Sequence, residues 1–288
     1  MSATSFFTIL VMNKTLTIAF IGGGNMAWAL AGGLAGRVCP ATNIHVIDIN
    51  TDTHERWRAQ DMTVAPAPDE ALTRADIWIY AVKPQNLREV AGATRSYLRE
   101  DTLVVSIAAG IRGDTLAQWL GSTDQPRTNL VRCMPNTPAL VGAGASGLAA
   151  LAGVSQQDRA RVEEIFKAVG AVVWVADDAA LDAVTALSGS GPAYVFLFIE
   201  SLIKGGMALG LSDDQSRQLA LATLAGATRL ASESDDAPGV LRQKVTSKGG
   251  TTAAALDTFA QAGFEHTVAL AMKAACERSA ELGREAAQ

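Results

Sequence analysis

Basic residues are in short supply in this chain: 24 Lys plus Arg stand against 29 Asp plus Glu, for a formal net charge of -5 at pH 7. A protein that tracks nucleic-acid phosphates needs a basic face, so nucleic acid is excluded as the main partner. Cysteine is scarce as well. Cys39, Cys133 and Cys276 are far apart and form no CxxC pair, which indicates neither a disulfide framework nor a zinc site. The three histidines, His45, His54 and His266, are equally scattered, and no metal constellation is expected. A reducing cytoplasm is the natural compartment for such a chain. The apolar run Phe6–Met12 lacks the charged flank and small-residue cleavage site of a signal peptide, and it is too short to span a bilayer. Residues 1–14 are therefore read as an extension outside the fold, with Met12 as an alternative start, and no membrane association is expected.

What is present is ample material for a core. Of the 288 residues, 49% are hydrophobic and only 18% charged, a length and balance that suit two domains handling a small molecule. From Thr15 to about Val175 short β-branched runs alternate with stretches of helical spacing. The strand candidates are 16–21, 44–48, 76–82, 102–107 and 130–134, with helices between them such as 86–98 and 114–120. A further strand, helix and strand follow at 144–151, 155–169 and 171–175. This alternation predicts βαβ units and a doubly wound, Rossmann-type parallel sheet covered on both faces, over residues 15–177.

After Asp178 the strand signals stop. Ala, Leu, Glu and Lys dominate through 178–288, and helices are expected at roughly 213–233, 251–261 and 264–285. The run Tyr194–Ile199 (YVFLFI) is apolar on every side of a helix, so that helix should be buried all round. About 110 residues of such helix are too apolar to stand alone beside a sheet domain. A homodimer interlocked through this all-α domain is expected to bury them.

The first chemical motif is Ile18-Ala19-Phe20-Ile21-Gly22-Gly23-Gly24-Asn25-Met26-Ala27. Gly22, Gly24 and Ala27 form a G-x-G-x-x-A pattern after a strand and at the head of a helix. The first glycine permits the tight turn, the second lets the backbone approach a pyrophosphate, and Ala27 keeps the helix close to the sheet. A structural Gly-rich turn is the bland alternative, and the strand before and helix after weigh against it. Asp48, 24 residues after Gly24, ends the second strand. A carboxylate there accepts the adenine-ribose hydroxyls and repels a 2′-phosphate, which favours NADH over NADPH. Its alternative role is to cap the next helix.

Ligands of open α/β sheets bind at strand C-termini. That rule points to Ala81-Val82-Lys83-Pro84-Gln85 after the strand at 76–82, and to Ser106-Ile107-Ala108-Ala109-Gly110 after the next. Lys83 is balanced between a place near the nicotinamide and plain solvation, and the small residues of the second turn leave room for a flat ring. Three more segments are unusually polar and glycine-rich: Arg132–Pro138, Leu187–Pro192 and Val245–Thr252. The last two each precede an expected helix, and a helix N-terminus fed by Gly, Ser and Thr is suited to a carboxylate. For the first two segments, ordinary turn or helix-entry chemistry is an equal alternative.

Taken together and in this order, IGGGNMA, AVKPQ, SIAAGI, RCMPNTPA, SGSGPAYVF and VTSKGGTT closely resemble the pyrroline-5-carboxylate reductase family, from about Thr15 to Glu281. The resemblance implies an NAD(P)H-dependent oxidoreductase that reduces 1-pyrroline-5-carboxylate to L-proline, the last step of proline biosynthesis. It also implies a homodimer whose pocket is shared between one subunit's cofactor domain and helices at the interface. By position, phosphate contacts fall on Gly22, Gly24, Asn25, Met26 and Ala27. Nicotinamide-side contacts fall on Ala81, Val82, Lys83 and Pro84 and on Ile107, Ala108 and Ala109. Ser247, Gly250, Thr251 and Thr252 would hold the substrate carboxylate, and the Thr252 hydroxyl would face the imine side of the ring as the catalytic group. Two departures stand out. Many members favour NADPH and carry a basic or polar residue where Asp48-Ile49 stands here, and many have Pro in place of Lys248.

Reducing a cyclic imine needs a hydride at carbon and a proton at nitrogen. A substrate bound as the iminium needs no strong protein acid, which agrees with the absence of an Asp–His or Lys constellation from these motifs. The rivals are another Rossmann-type imine reductase or a β-hydroxyacid dehydrogenase, and a redox-sensing module that holds NAD(P) without turnover. The dehydrogenase needs a base such as a helix-borne Lys. Pro192–Ile203 contains none, and Lys204 lies at its far end.

Overall fold

The computed structural model describes residues 13–286, and the apolar run Phe6–Met12 lies outside them. Eight strands form one sheet: β1 (Ile18–Ile21), β2 (Ile44–Ile47), β3 (Thr63–Ala65), β4 (Ile77–Tyr80), β5 (Leu103–Ser106), β6 (Leu130–Met134), β7 (Gly144–Ala150) and β8 (Gly170–Trp174). Their order across the sheet is β3-β2-β1-β4-β5-β6-β7-β8. The helices among them are α1 (Asn25–Leu34), α2 (His54–Arg58), α3 (Pro84–Thr94), α4 (Gly113–Leu120) and α5 (Gln156–Lys167).

Every neighbouring pair is parallel except β6 and β7, which run antiparallel. The expectation of a parallel sheet is corrected at that pair. The connection 135–143 holds only a short 3-10 turn, Thr137–Val141, whereas a parallel crossover needs a dozen or more residues. The chain therefore turns back beside β6, and α5 then carries it to a parallel β8.

Side chains alternate across the strands and feed two cores. Ile18 and Phe20 of β1 join Leu30, Leu34, Ile165 and Phe166 on one face. Ala19 and Ile21 join Trp78, Tyr80, Leu87 and Leu116 on the other. Both faces are covered, as near-continuous apolar strands require. Strand β3 and helix α2 are not evident in the sequence pattern. Three residues are too few for a period to register, and β3 is held by its register against β2.

After β8 the chain is helical: α6 (Asp178–Val184), α7 (Gly191–Ala208), α8 (Asp213–Glu233), α9 (Pro238–Lys244), α10 (Thr251–Gln261) and α11 (Phe264–Ala286). A capping box starts α8, in which Ser212 accepts from the Gln215 amide and the Gln215 side chain accepts from the Ser212 amide. Two compact units result. One comprises the residues up to Ser190 together with those from Ala275 onward, so α6 and the last turns of α11 belong with the sheet; the other is Gly191–Ala274.

The two units differ in how they treat apolar surface. In the second, Ala220 is the only buried apolar residue among the described residues. On α7, Phe196 is 58% and Leu197 64% exposed in the single chain, so the expected all-round burial of Tyr194–Ile199 does not occur within one copy. The helical stretch Asp178–Ala208 is, by length and composition alone, long and apolar enough to cross a membrane.

Candidate functional site

The strand order reverses between β1 and β4. From β1 the chain leads outward through β2 to β3, and from β4 it leads the other way. A crevice opens at such a switch point, outside the strand C-termini. The backbone knits this region closely: the Gly22 amide donates to Ile47 O (2.8 Å), Ala81 to Ile21 O (2.8 Å) and Ile107 to Tyr80 O (3.0 Å). Three of the turns selected from the sequence are thereby brought to one edge.

Gly22 has φ +103°, and a Cβ there would lie 2.8 Å from the Ala81 carbonyl carbon and oxygen. Only glycine fits. Gly24 is the opposite case, because no atom lies within 4 Å of where its Cβ would be. It is the N-cap residue of α1, has no side chain capping it, and both it and Asn25 are exposed. The free N–H groups of α1 thus face open space, the arrangement a pyrophosphate needs. Ala27 is fully buried against the sheet and Met26 half-buried beside it.

Asp48 lies beside this loop. Its Oδ1 accepts from the Asn50 amide (3.0 Å), and its Oδ2 faces Gly23 at a spacing that leaves no room for a side chain there. The helical cap belongs to Asn50, which accepts from Asp52 N (3.2 Å). Arg56 holds the same loop from its other side, with Nη2 donating to Gly23 O (2.6 Å) and its guanidinium 5.0 Å from the Trp28 ring and 5.3 Å from the Trp57 ring. Nothing in the sequence pattern singles out this clamp, since Trp28 and Arg56 sit on different helices.

Ala81 and Val82 are half-buried, and Pro84 opens α3 with its missing N–H where no partner is needed. Lys83 is exposed. In the next turn Ala108 is buried, with Ile107 and Ala109 half-buried. A buried ionic network missed in the sequence reading stands behind that turn. Arg132 pairs through Nη1 with Asp178 Oδ1 (2.7 Å) and donates through Nη2 to Ala108 O (3.2 Å), while Asp178 Oδ2 accepts from the Gly113 amide (2.9 Å). Burial pulls the Arg132 guanidinium below its ordinary range, and the carboxylates of Asp178 and Asp182 oppose the shift. Removing one partner from such a pair costs roughly 3–5 kcal/mol. The available signal was an Arg in the middle of the apolar strand LVRCM, which must find a partner once buried.

Asn136 of the MPNTP segment is a staple. Its Nδ2 donates to Ser188 O (3.0 Å) and its Oδ1 accepts from Ala145 N (2.8 Å). Leu187–Gly189 lie in a π turn (Thr185–Gly189) and Gly191 and Pro192 open α7, so this segment carries the chain from α6 into α7, with Ser190 N donating to Thr185 O (2.8 Å). A Cβ on Gly189 would meet the terminal methyl of Met134, so the two residues pack together here.

In the helical unit, Val245–Thr252 does form a helix entry. Gly249 takes φ +72°, the Gly250 amide donates to Ser247 O (3.0 Å), and Gly250 is the N-cap residue of α10 with no side chain capping it. Ser247 and Thr251 are exposed and Thr252 half-buried. The start of α10 thus carries no side-chain cap, and amides of this kind can take an anion. Lys248 is exposed.

Residues 178–282 match the family model described as pyrroline-5-carboxylate reductase dimerisation, and residues 17–110 match the model described as NADP oxidoreductase, coenzyme F420-dependent. The chain is 44% identical over 276 residues to a pyrroline-5-carboxylate reductase of Pseudomonas aeruginosa, covering 96% of this chain and 100% of that one. Among solved structures it is similar to a pyrroline-5-carboxylate reductase of Coxiella burnetii (TM-score 0.86, 34% identity, 93% of this chain and 99% of that one). It is also similar to a pyrroline carboxylate reductase of Plasmodium falciparum with NADP bound (TM-score 0.82, 32% identity, 94% and 100%).

The loop geometry carries a direct test. Gly22→Ala forces a side chain into a left-handed conformation and against the Ala81 backbone, so it should lower stability by about 1–3 kcal/mol and weaken dinucleotide binding. Chemical denaturation and cofactor titration measure the two. A variant as stable and as tight-binding as wild type would show that the loop relaxes freely.

Proposed function

This chain belongs to the pyrroline-5-carboxylate reductase family, and from that premise we propose how its residues divide the work. It reduces 1-pyrroline-5-carboxylate to L-proline in proline biosynthesis, an oxidoreduction at a C=N bond. The bound nicotinamide cofactor supplies the hydride. The pyrophosphate is held by the backbone from Gly22 to Ala27, and the nicotinamide half lies along Ala81–Pro84 and Ile107–Ala109. The open space over Gly24 and the uncapped start of α1 carry this reading.

The substrate carboxylate is held at the start of α10 by Ser247, Gly250, Thr251 and Thr252. Its support is a helix start left without a side-chain cap and flanked in sequence by Ser247, Thr251 and Thr252. The substrate binds as the iminium, already protonated on nitrogen, and the Thr252 hydroxyl accepts a hydrogen bond from that N–H. Catalysis is then chiefly positioning, with the carboxylate fixing one end of the ring and Thr252 the other. A β-hydroxyacid dehydrogenase reading lacks its base. Lys204 has a side chain 78% exposed and stands 4.0 Å from Glu200 on the same helix.

The site is completed in a homodimer formed through the helices after Asp178. The matched dimerisation model and the exposed apolar face of α7 support this. A second copy, rather than lipid, is then the partner of the apolar stretch Asp178–Ala208, a reading that the matched dimerisation model supports, and the enzyme is read as a soluble one of the cytoplasm.

NADH is used appreciably, although the family habit is NADPH. Asp48 has one oxygen engaged locally and the other beside the Gly-rich loop, while Arg56 is committed to Gly23 O and two indole rings. Facing a 2′-phosphate, that carboxylate should cost on the order of 1–3 kcal/mol.

Decay of reduced-nicotinamide absorbance on adding the cyclic imine tests turnover and separates a reductase from a binding module. Thr252→Ala should lower turnover roughly 10- to 150-fold, from the loss of a hydrogen bond to a charged group worth about 1.5–3 kcal/mol, with cofactor affinity nearly unchanged. A variant within about twofold of wild type would remove Thr252 from the site.

Asp48→Ser should shift the preference toward NADPH by roughly tenfold. The measurement is kcat/KM for both cofactors at one ionic strength. A wild type that works only with NADPH, or an unchanged ratio in the variant, would place the Asp48 carboxylate away from the ribose.

A further inference from the structure

The turn assigned to the nicotinamide is gripped by residues distant in sequence. Asp182 on α6 is the centre of the grip. Its Oδ1 accepts from Ser279 Oγ on α11 (2.7 Å), and its Oδ2 lies 3.4 Å from Arg112 Nη2, at the residue that precedes α4. One turn earlier on α6, Asp178 holds the Gly113 amide and, through Arg132, the Ala108 carbonyl. Both ends of the segment Ala108–Gly113 are therefore tied to carboxylates of one short helix.

Helix α11 closes the remaining side. Gly110 has φ +73°, and a Cβ on it would stand 2.8 Å from Leu282 Cβ. On Gly283 a Cβ would lie 3.2 Å from Gly110 O and 3.4 Å from Arg112 Nε. Ser279 is 6% exposed, so its hydroxyl is committed to Asp182 rather than to water. With glycines on both partners, α11 packs closely on the turn and restrains it, and a ring placed on the turn is positioned by that packing.

We propose that Asp182 and Ser279 are positioning residues for the nicotinamide: through Arg112, and with the last turns of α11 packed on Gly110, they set the Ile107–Ala109 turn on which the ring rests. This rests on the placement of the nicotinamide at that turn. It adds a function for the C-terminal end of the chain, which lies far in sequence from the dinucleotide motifs.

The experiment compares two ligands on full-length enzyme: the reduced dinucleotide that wild type prefers, and the nicotinamide-free fragment of the same cofactor (ADP-ribose or its 2′-phosphate). Dissociation constants and kcat are measured for wild type, Asp182→Asn, Ser279→Ala and Ala109→Leu. The first two variants should weaken the dinucleotide by roughly tenfold and threefold and lower kcat, while binding of the fragment stays within about twofold. Ser279→Ala keeps every charge in place and serves where Asp182→Asn fails to fold. Ala109→Leu, which blocks the turn itself, should also spare the fragment. Equal loss of both ligands in the Asp182 and Ser279 variants, or no loss of either, overturns the positioning role. If Ala109→Leu is selective and they are not, the nicotinamide placement stands and only the grip fails. If none of the three is selective, the placement itself is wrong.

Discussion

The helices between Gly191 and Ala274 carry more apolar surface than one chain covers, and the rest of the architecture follows from that imbalance. On α7 and α8 alone, Val195, Phe196, Leu197, Met207, Leu219 and Leu221 are exposed in the single chain. Patches of this kind mark interaction surfaces in soluble proteins, because leaving them in water forfeits the largest favourable contribution to folding. The sheet unit shows the contrast. Its two cores are closed on both faces, and side chains as large as Trp57, Trp78 and Phe166 are fully buried. The sheet unit closes its own cores, whereas the helical unit, which matches a dimerisation model, leaves an apolar face exposed in the single chain.

This division suits the chemistry. The dinucleotide half needs rigidity, and the switch point between β1 and β4 provides it through backbone hydrogen bonds and through glycines placed where no side chain fits. In the helical unit, Val245–Thr252 leaves the start of α10 without a side-chain cap, which is what the proposed grip on a carboxylate requires. A carboxylate held by amides and a charged imine held by a hydroxyl require no strong acid or base. The scarcity of histidine and of clustered carboxylates in the motifs is therefore in keeping with the reaction.

Much of this was legible in the sequence where a local rule acts alone. The Gly22–Ala27 loop, the strand runs of β1, β4 and β5 and the start of α10 each follow from spacing and residue type within a few positions. What was not legible depends on the third dimension. The Leu187–Pro192 segment opens α7 at Gly191, as its composition suggests, but the π turn at Thr185–Gly189 that feeds it, bonded to Asn136 through the Ser188 carbonyl, has no local signature. Arg132, Asp178, Asp182 and Ser279 are distributed over half the chain, so no window of sequence contains the network they form. The reversal at β7 is set by a connection too short for a crossover, and the period of the strands gives no sign of it.

The most direct test of the account is the oligomeric state measured together with specific activity over a dilution series, by light scattering or sedimentation. The account predicts a dimer, or an even multiple of one, down to low micromolar concentration (about 1–10 µM), with activity falling in step with any dissociation. A stable monomer that retains full activity at that concentration would contradict it, because the exposed face of α7 would then need no second chain.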